Sequence, residues 1–167
     1  MENVQTPTAA LLTPEALLKH WQGHRTLTRR VIEAFPEKDL FEFSIGGMRT
    51  FAVLAMEIVD LTGPGIKGLA TGQWSENPMA HISGEGMPKT KEELLTIWDE
   101  TTNRLETYWP QIPAEKFDDA VKAFGMYDGT ILSTILYFMD NEVHHRGQGY
   151  VYLRALGIEP PFFWERA

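Results

Sequence analysis

Apolar positions recur at helical spacing in four stretches of the chain, with helix breakers between them. In LLTPEALLKHWQGHRTLTRRVIEAFPEKDL, Leu17, Trp21, Leu27 and Val31 fall near one face of a helix, and Pro36 ends the run. Thr13 suits the cap, Pro14 the first turn, and Glu15 the positive end of the helix dipole. His20 and His24 lie four apart on this helix, a spacing able to chelate a metal. A pair of half-exposed surface histidines is the plainer expectation for them.

The second stretch begins near Gly47 and runs through MRTFAVLAMEIVDL to Gly63-Pro64. Between Phe51 and Val59 every residue is apolar except Glu57. A helix apolar on nearly all sides is buried, so Glu57 is expected against other helices. Burying an unpaired carboxylate costs several kcal/mol or forces it to protonate. Glu57 therefore calls for a partner: a metal ion, an arginine or a hydrogen-bond network.

Residues 63–89 hold six glycines and three prolines with no clear period, which predicts a long loop between helices two and three. The Gly/Lys pattern at its start is no phosphate loop, because Gly68 follows Lys67 where Ser or Thr is needed. His81 reads as an exposed loop residue. A third helix follows in TKEELLTIWDETTNRLETYW, with Thr90 as cap and Glu93 completing a capping box. The stretch IPAEKFDDAVKAFGMYDG is irregular, with room for one helical turn or a short strand. The last helix starts after Asp128-Gly129, and Gly157 and Pro160 close it. Four such helices predict an all-α, antiparallel four-helix bundle occupying residues 1–167 as one domain.

Composition narrows the function. With fifteen Lys and Arg scattered among twenty-three Asp and Glu, the net charge is −8, which disfavours nucleic-acid binding. No apolar run approaches ~20 residues, so no membrane span is expected. The N-terminus MENVQTPTAALLTPE lacks a basic patch before an apolar core and so does not read as a signal peptide. Zero cysteines exclude disulfides, zinc-thiolate sites and a cysteine nucleophile. A cytoplasmic protein is the default, and any thiol chemistry needs a thiol brought from outside.

The candidate chemistry lies in the fourth helix, at DNEVHHRGQGYVYLR. At 100° per residue, Thr134, Phe138, Asn141, His145, Gln148 and Tyr152 fall within a sector of about 80°. Glu142 and His144 flank that sector on opposite sides. Gly147 and Gly149 each cost roughly 1 kcal/mol in mid-helix, which points to close approach of another backbone. Glu57 facing this polar stripe would form an oxygen and nitrogen site suited to Zn, Ni, Mn or Fe(II). The competing arrangement is a buried ion pair between Glu57 and Arg146 or Arg49, with no metal.

The segment DNEVHHRGQGYVYLRALGIEPPFFWER, with its HHRGQ core and LGIEPP end, resembles the C-terminal signature of the DinB/YfiT-like metalloenzyme superfamily. The resemblance implies a four-helix bundle, often a homodimer, with a divalent metal on three histidines. Two of those histidines would lie i, i+4 on the last helix and one on helix two. His145 matches. Asn141 stands at the first position of the pair, and Glu57 falls close to the helix-two position. The implied metal set is thus Glu57, Asn141 and His145, more tolerant of Mg, Mn, Ni or Fe than a three-imidazole site. Glu142 or His144 would substitute for Asn141 after a small helix rotation, and a direct Glu57–His145 hydrogen bond without metal stays open. The resemblance further implies a thiol-dependent S-transferase or a metal-assisted hydrolase acting on a small molecule. A low-molecular-weight thiol would serve as cofactor, with Gln148, Tyr152 and Arg146 orienting the substrate. The alternative is a non-catalytic small-molecule-binding or stress-linked bundle. The aromatic tail PPFFWERA would suit an interface.

Overall fold

The computed structural model describes residues 12–74, 78–84 and 86–166. The N-terminal stretch read above as no signal peptide lies, up to residue 11, outside them, as do positions 75–77 and 85 of the Gly/Pro-rich segment. Helix α1 (Pro14–Ala34) opens on Thr13, whose hydroxyl accepts from the Ala16 N–H, and closes at Phe35 before Pro36. A short helix α2 (Glu37–Glu42) follows, which the pattern of apolar positions did not announce.

Helix α3 (Phe51–Thr71) corrects the expectation that helix two stops at Gly63-Pro64, because Pro64 lies inside it. Gly63 before it has no Cβ to clash with the proline ring, so the helical backbone survives there. The neighbouring glycines are packing positions rather than breaks. A Cβ on Gly65 would stand 2.5 Å from the Phe138 ring, and one on Gly68 2.3 Å from Trp74. The true stop is Gly72, with φ 75°. The loop therefore begins nine residues later than the breakers suggest, and it contains a short helix α4 (Ala80–Ser83).

Helix α5 (Lys91–Tyr108) has the predicted capping box of Thr90 and Glu93. A single helical turn, Trp109–Gln111, follows it directly; the irregular stretch then holds a second turn, Ala114–Lys116, and an antiparallel hairpin, β1 (Ala120–Ala123) with β2 (Tyr127–Thr130), in register Ala120 to Thr130. Helix α6 (Ile131–Ala155) ends where Gly157 takes φ 77°. The protein is mostly helical, with this small sheet added to the all-α expectation. Among the described residues no helix is long and apolar enough to cross a membrane.

The long helices pack α3 against both α5 and α6, and α1 against the same two. One core cluster joins Phe35, Phe51, Leu54, Ile58, Trp98 and Tyr152; another joins Trp21, Ile66, Leu105, Trp109, Ile135 and Phe138. Helix α6 is consequently buried on two sides, towards α3 and towards α1. That double burial decides where its polar residues go.

Candidate functional site

Glu57, nearly four turns short of the C-terminal end of α3, faces α6, and its side chain is 17 % exposed. His145 Nε2 stands 3.0 Å from Glu57 Oε1, and Asn141 Nδ2 donates to the same oxygen at 3.1 Å. Phe138, Asn141, His145 and Tyr152 of the predicted stripe thus lie on the face α6 turns to α3 and the segment leading into it. The His145 contact is unusual. Neither ring nitrogen finds an aligned hydrogen-bond partner, and the Asn141 Oδ1 is likewise buried without one. The imidazole and the carboxylate stand at hydrogen-bond distance without an aligned N–H between them.

The other oxygen of Glu57 is held by Arg49, whose Nη2 lies 2.6 Å from Oε2. His145 first, then Asn141 and Arg49, hold the Glu57 carboxyl down at about 2, against the opposing pull of burial. Of the two arginines the sequence offered as ion-pair partners, Arg49 makes the contact. Tyr152 supports it from behind, donating its hydroxyl to the Arg49 carbonyl at 2.8 Å.

His81 corrects the sequence expectation, for it is buried, 6 % exposed. Helix α4 folds back onto α3, and Asp60 accepts both the His81 backbone N–H and its Nδ1 at 2.8 Å. A carboxylate only accepts, so the proton sits on Nδ1 and Nε2 turns towards Glu57 Oε2, 3.6 Å away. Asp60 and His81 were missed because their meeting depends on the path of the loop. The signal available in the sequence was Asp60, three residues after Glu57 and so on a neighbouring face of the same helix.

The remaining predicted residues divide. Gln148 bonds His144 at 2.9 Å on the exposed side of α6. Glu142 and Arg146 lie on the other side, against α1. Glu142 is fully buried, accepting from Thr28 Oγ1 at 2.6 Å and lying 3.5 Å from Arg25 Nη1. Arg146 Nη2 bonds His24 Nδ1 at 2.9 Å. His24 is therefore buried, not half-exposed as its surface-helix position suggested, while His20 remains exposed.

A cavity of about 340 Å³ opens one helical turn from Glu57 and Asn141, lined by Leu61, Phe124, Tyr127, Thr134, Tyr137 and Phe138 among others. Phe124 forms part of its wall in a left-handed conformation, φ 54°, wedged against Trp74 and Phe138. Such a conformation costs a non-glycine residue of order 1 kcal/mol, and persists where packing over-determines it. An apolar cavity with polar groups at one end is a common form of small-molecule site.

Among the described residues no group of three His, Cys, Asp or Glu converges on one point as a metal site. Two donors and an amide do fit a divalent ion. Donors about 2.1 Å from one ion and at right angles are about 3.0 Å apart, which matches the unaligned His145–Glu57 contact. Asn141 presents its Nδ2 to Glu57 Oε1, so its Oδ1 would serve as a weaker third donor only with the amide turned over.

The DinB family model matches residues 5–166. Crystal structures of two DinB-like proteins share the fold. One, from Bacillus cereus, is 16 % identical with TM-score 0.68, covering 89 % of this chain and 95 % of its own. The other, YjoA from Bacillus subtilis, is 18 % identical with TM-score 0.69, covering 90 % and 99 %. Comparison with curated proteins gives no match. The family match spans nearly the whole sequence and the fold agrees along it: the chain belongs to the DinB family.

Proposed function

We propose that the protein is a metal-dependent enzyme, with Glu57, His145 and Asn141 as the site of a divalent ion such as Mn, Ni, Zn or Fe. The observation that carries this reading is the imidazole and carboxylate side by side at 3.0 Å with neither ring nitrogen in an aligned hydrogen bond. When bound, the ion would lower the pKa of a thiol or a water and so supply a nucleophile near neutrality. The proposed reaction is thiol-dependent S-transfer, in which an external thiol displaces a leaving group from a small electrophile. The chain has no cysteine, so the sulfur comes from outside.

The chain's own residues set up that chemistry. Arg49 neutralises the second oxygen of Glu57, and Asp60 fixes the His81 tautomer that faces it. Phe124, Tyr137 and Phe138 offer the apolar wall for the electrophile, in a cavity of ordinary ligand size. The absence of cysteine accords with a cytoplasmic setting, and a second copy as partner rests on the resemblance alone.

Arg49 favours a second reading, a metal-free small-molecule-binding protein. Its guanidinium already places a positive charge 2.6 Å from Glu57. A thiol-transfer assay separates the two. Glutathione with 1-chloro-2,4-dinitrobenzene or with monochlorobimane is to be run with and without added Mn(II), Ni(II) or Zn(II). Enzyme predicts metal-dependent turnover that His145→Ala and Glu57→Gln abolish. No metal-dependent turnover with either pair supports the binding reading.

A further inference from the structure

A second cavity, of about 470 Å³, lies on the side of α6 away from Glu57, between that helix, His24 of α1 and the Pro160–Arg166 tail. The tail is fixed over it. Arg30 Nη1 donates to the Glu165 carbonyl at 3.0 Å, and its Nη2 lies 3.3 Å from the Glu165 carboxylate. Gly23 lets the tail lie close, since a Cβ there would stand 3.1 Å from the Arg166 Cβ. Phe162 and Trp164 stack with centroids 4.8 Å apart and planes 8° from parallel.

The lining is cationic and aromatic. Arg146, Arg154 and Arg166 border the cavity, and no acidic side chain among the described residues does so. Beneath it the buried charges do not cancel. Glu142 is shared by Arg25 and Arg146, one carboxylate against two guanidiniums. His24 adds no acid, and stays neutral. Arg146 only donates, so His24 Nδ1 accepts from it, while His24 Nε2 faces both His20 Nε2 at 3.1 Å and the Arg166 guanidinium at 3.4 Å. Burial first, then the charges of Arg146 and Arg166, push the His24 ring down to about 3.

One buried group in the lining lacks an acceptor. The Tyr150 hydroxyl has no hydrogen-bond partner among the described residues. A buried donor left unpaired costs roughly 1–3 kcal/mol, so the arrangement is completed by an acceptor from outside. In a protein of net charge −8, three guanidiniums gathered at one cavity also select the sign of what enters.

We infer that this cavity binds a small anion with a flat apolar body, such as an aromatic carboxylate, at a site separate from Glu57 and His145. The carboxylate meets Arg146, Arg154 and the Tyr150 hydroxyl, and planar guanidinium donors suit its geometry. The apolar body lies along Phe162, Phe163 and Trp164, which are otherwise exposed. The inference does not depend on the metal reading.

Titration calorimetry of the full-length, untagged protein with naphthalene-2-carboxylate and with naphthalene-2-carboxamide tests it. The carboxylate is expected to bind one per chain and the neutral amide at least about tenfold more weakly. Arg154→Gln with Arg166→Gln weakens the carboxylate by about tenfold or more, whereas the charge-matched control Lys38→Gln with Lys116→Gln leaves it intact. Trp164→Ala weakens both ligands. Equal affinity for acid and amide, no saturation up to about 5 mM, or full binding in the Arg154/Arg166 double variant overturns the inference. A dimer in sedimentation that Trp164→Ala dissociates, together with no binding by wild type, assigns the cavity to a second copy of the chain and overturns it too.

Discussion

His145 of α6 meets Glu57 of α3 at 3.0 Å without an aligned hydrogen bond, while Arg49 holds the far oxygen of the same carboxylate at 2.6 Å. The carboxylate therefore joins two helices and the segment leading into α3. Glu57→Gln keeps the shape and removes the charge that Arg49 and His145 face. A loss of about 1–2 kcal/mol in urea unfolding is expected, because Arg49 is partly exposed and recovers water. No change in the unfolding midpoint would mean that the cluster contributes nothing to the fold.

Acid sensitivity has two named sources. The folded-state pKa of His24 is about 3, below its ordinary 6.5, chiefly through burial. Between those values the unfolded chain binds a proton that the native chain does not. Stability is thus fully present above pH 6.5 and falls as pH drops from there towards 3. Glu57, lowered from 4.5 to about 2 chiefly by His145, adds a second loss between those two pH values. Unfolding free energy measured from pH 7 to pH 4 should fall, and His24→Gln should flatten the upper part of that slope. An unchanged slope in His24→Gln would contradict the assignment.

Two glycines in one helix give opposite predictions. A Cβ on Gly149 would lie 2.4 Å from the fully buried Phe51 ring, itself stacked on Phe35. Gly149→Ala should destabilise by about 1–3 kcal/mol through overpacking. Nothing lies within 4 Å of a Cβ on Gly147. Gly147→Ala should instead stabilise by up to roughly 1 kcal/mol, the helix-propensity difference. Thermal melts of both variants check the pair, and the same sign for both would be the contrary result.

Glu142 is buried with Thr28, Trp21, Arg25 and Arg146 around it. Removing its charge strands two guanidiniums, one of which, Arg25, also stacks 3.4 Å over Trp98. Glu142→Ala should cost about 3–5 kcal/mol in denaturant unfolding. A cost near that of an exposed acid, below about 1 kcal/mol, would show that the network is dispensable.

The caps at Thr13 and Thr90 and the stop at Gly157 were legible because each depends on residues within one turn of chain. So was the inward stripe of Asn141 and His145, since helical geometry fixes which side chains share a face. The continuation of α3 past Pro64 was not, because Phe138 and Trp74, distant in sequence or beyond the helix end, decide that glycines there pack rather than break. Two glycines on α6 suggested close approach of a backbone; at Gly149 a side chain approaches, and at Gly147 nothing does. Glu142 and Arg146 were read beside Glu57 because one periodicity names one buried face, whereas α6 is buried on two. His81 was hidden by a loop whose return to Asp60 no local rule predicts.

The central claim is that Glu57 and His145 hold a divalent ion, and metal stoichiometry tests it most directly. Untagged protein is to be loaded with Mn(II), desalted and subjected to elemental analysis beside His145→Ala. The claim predicts about one ion per chain in the wild type and its loss in the variant. No retained metal in the wild type, or the same content in both proteins, would contradict it.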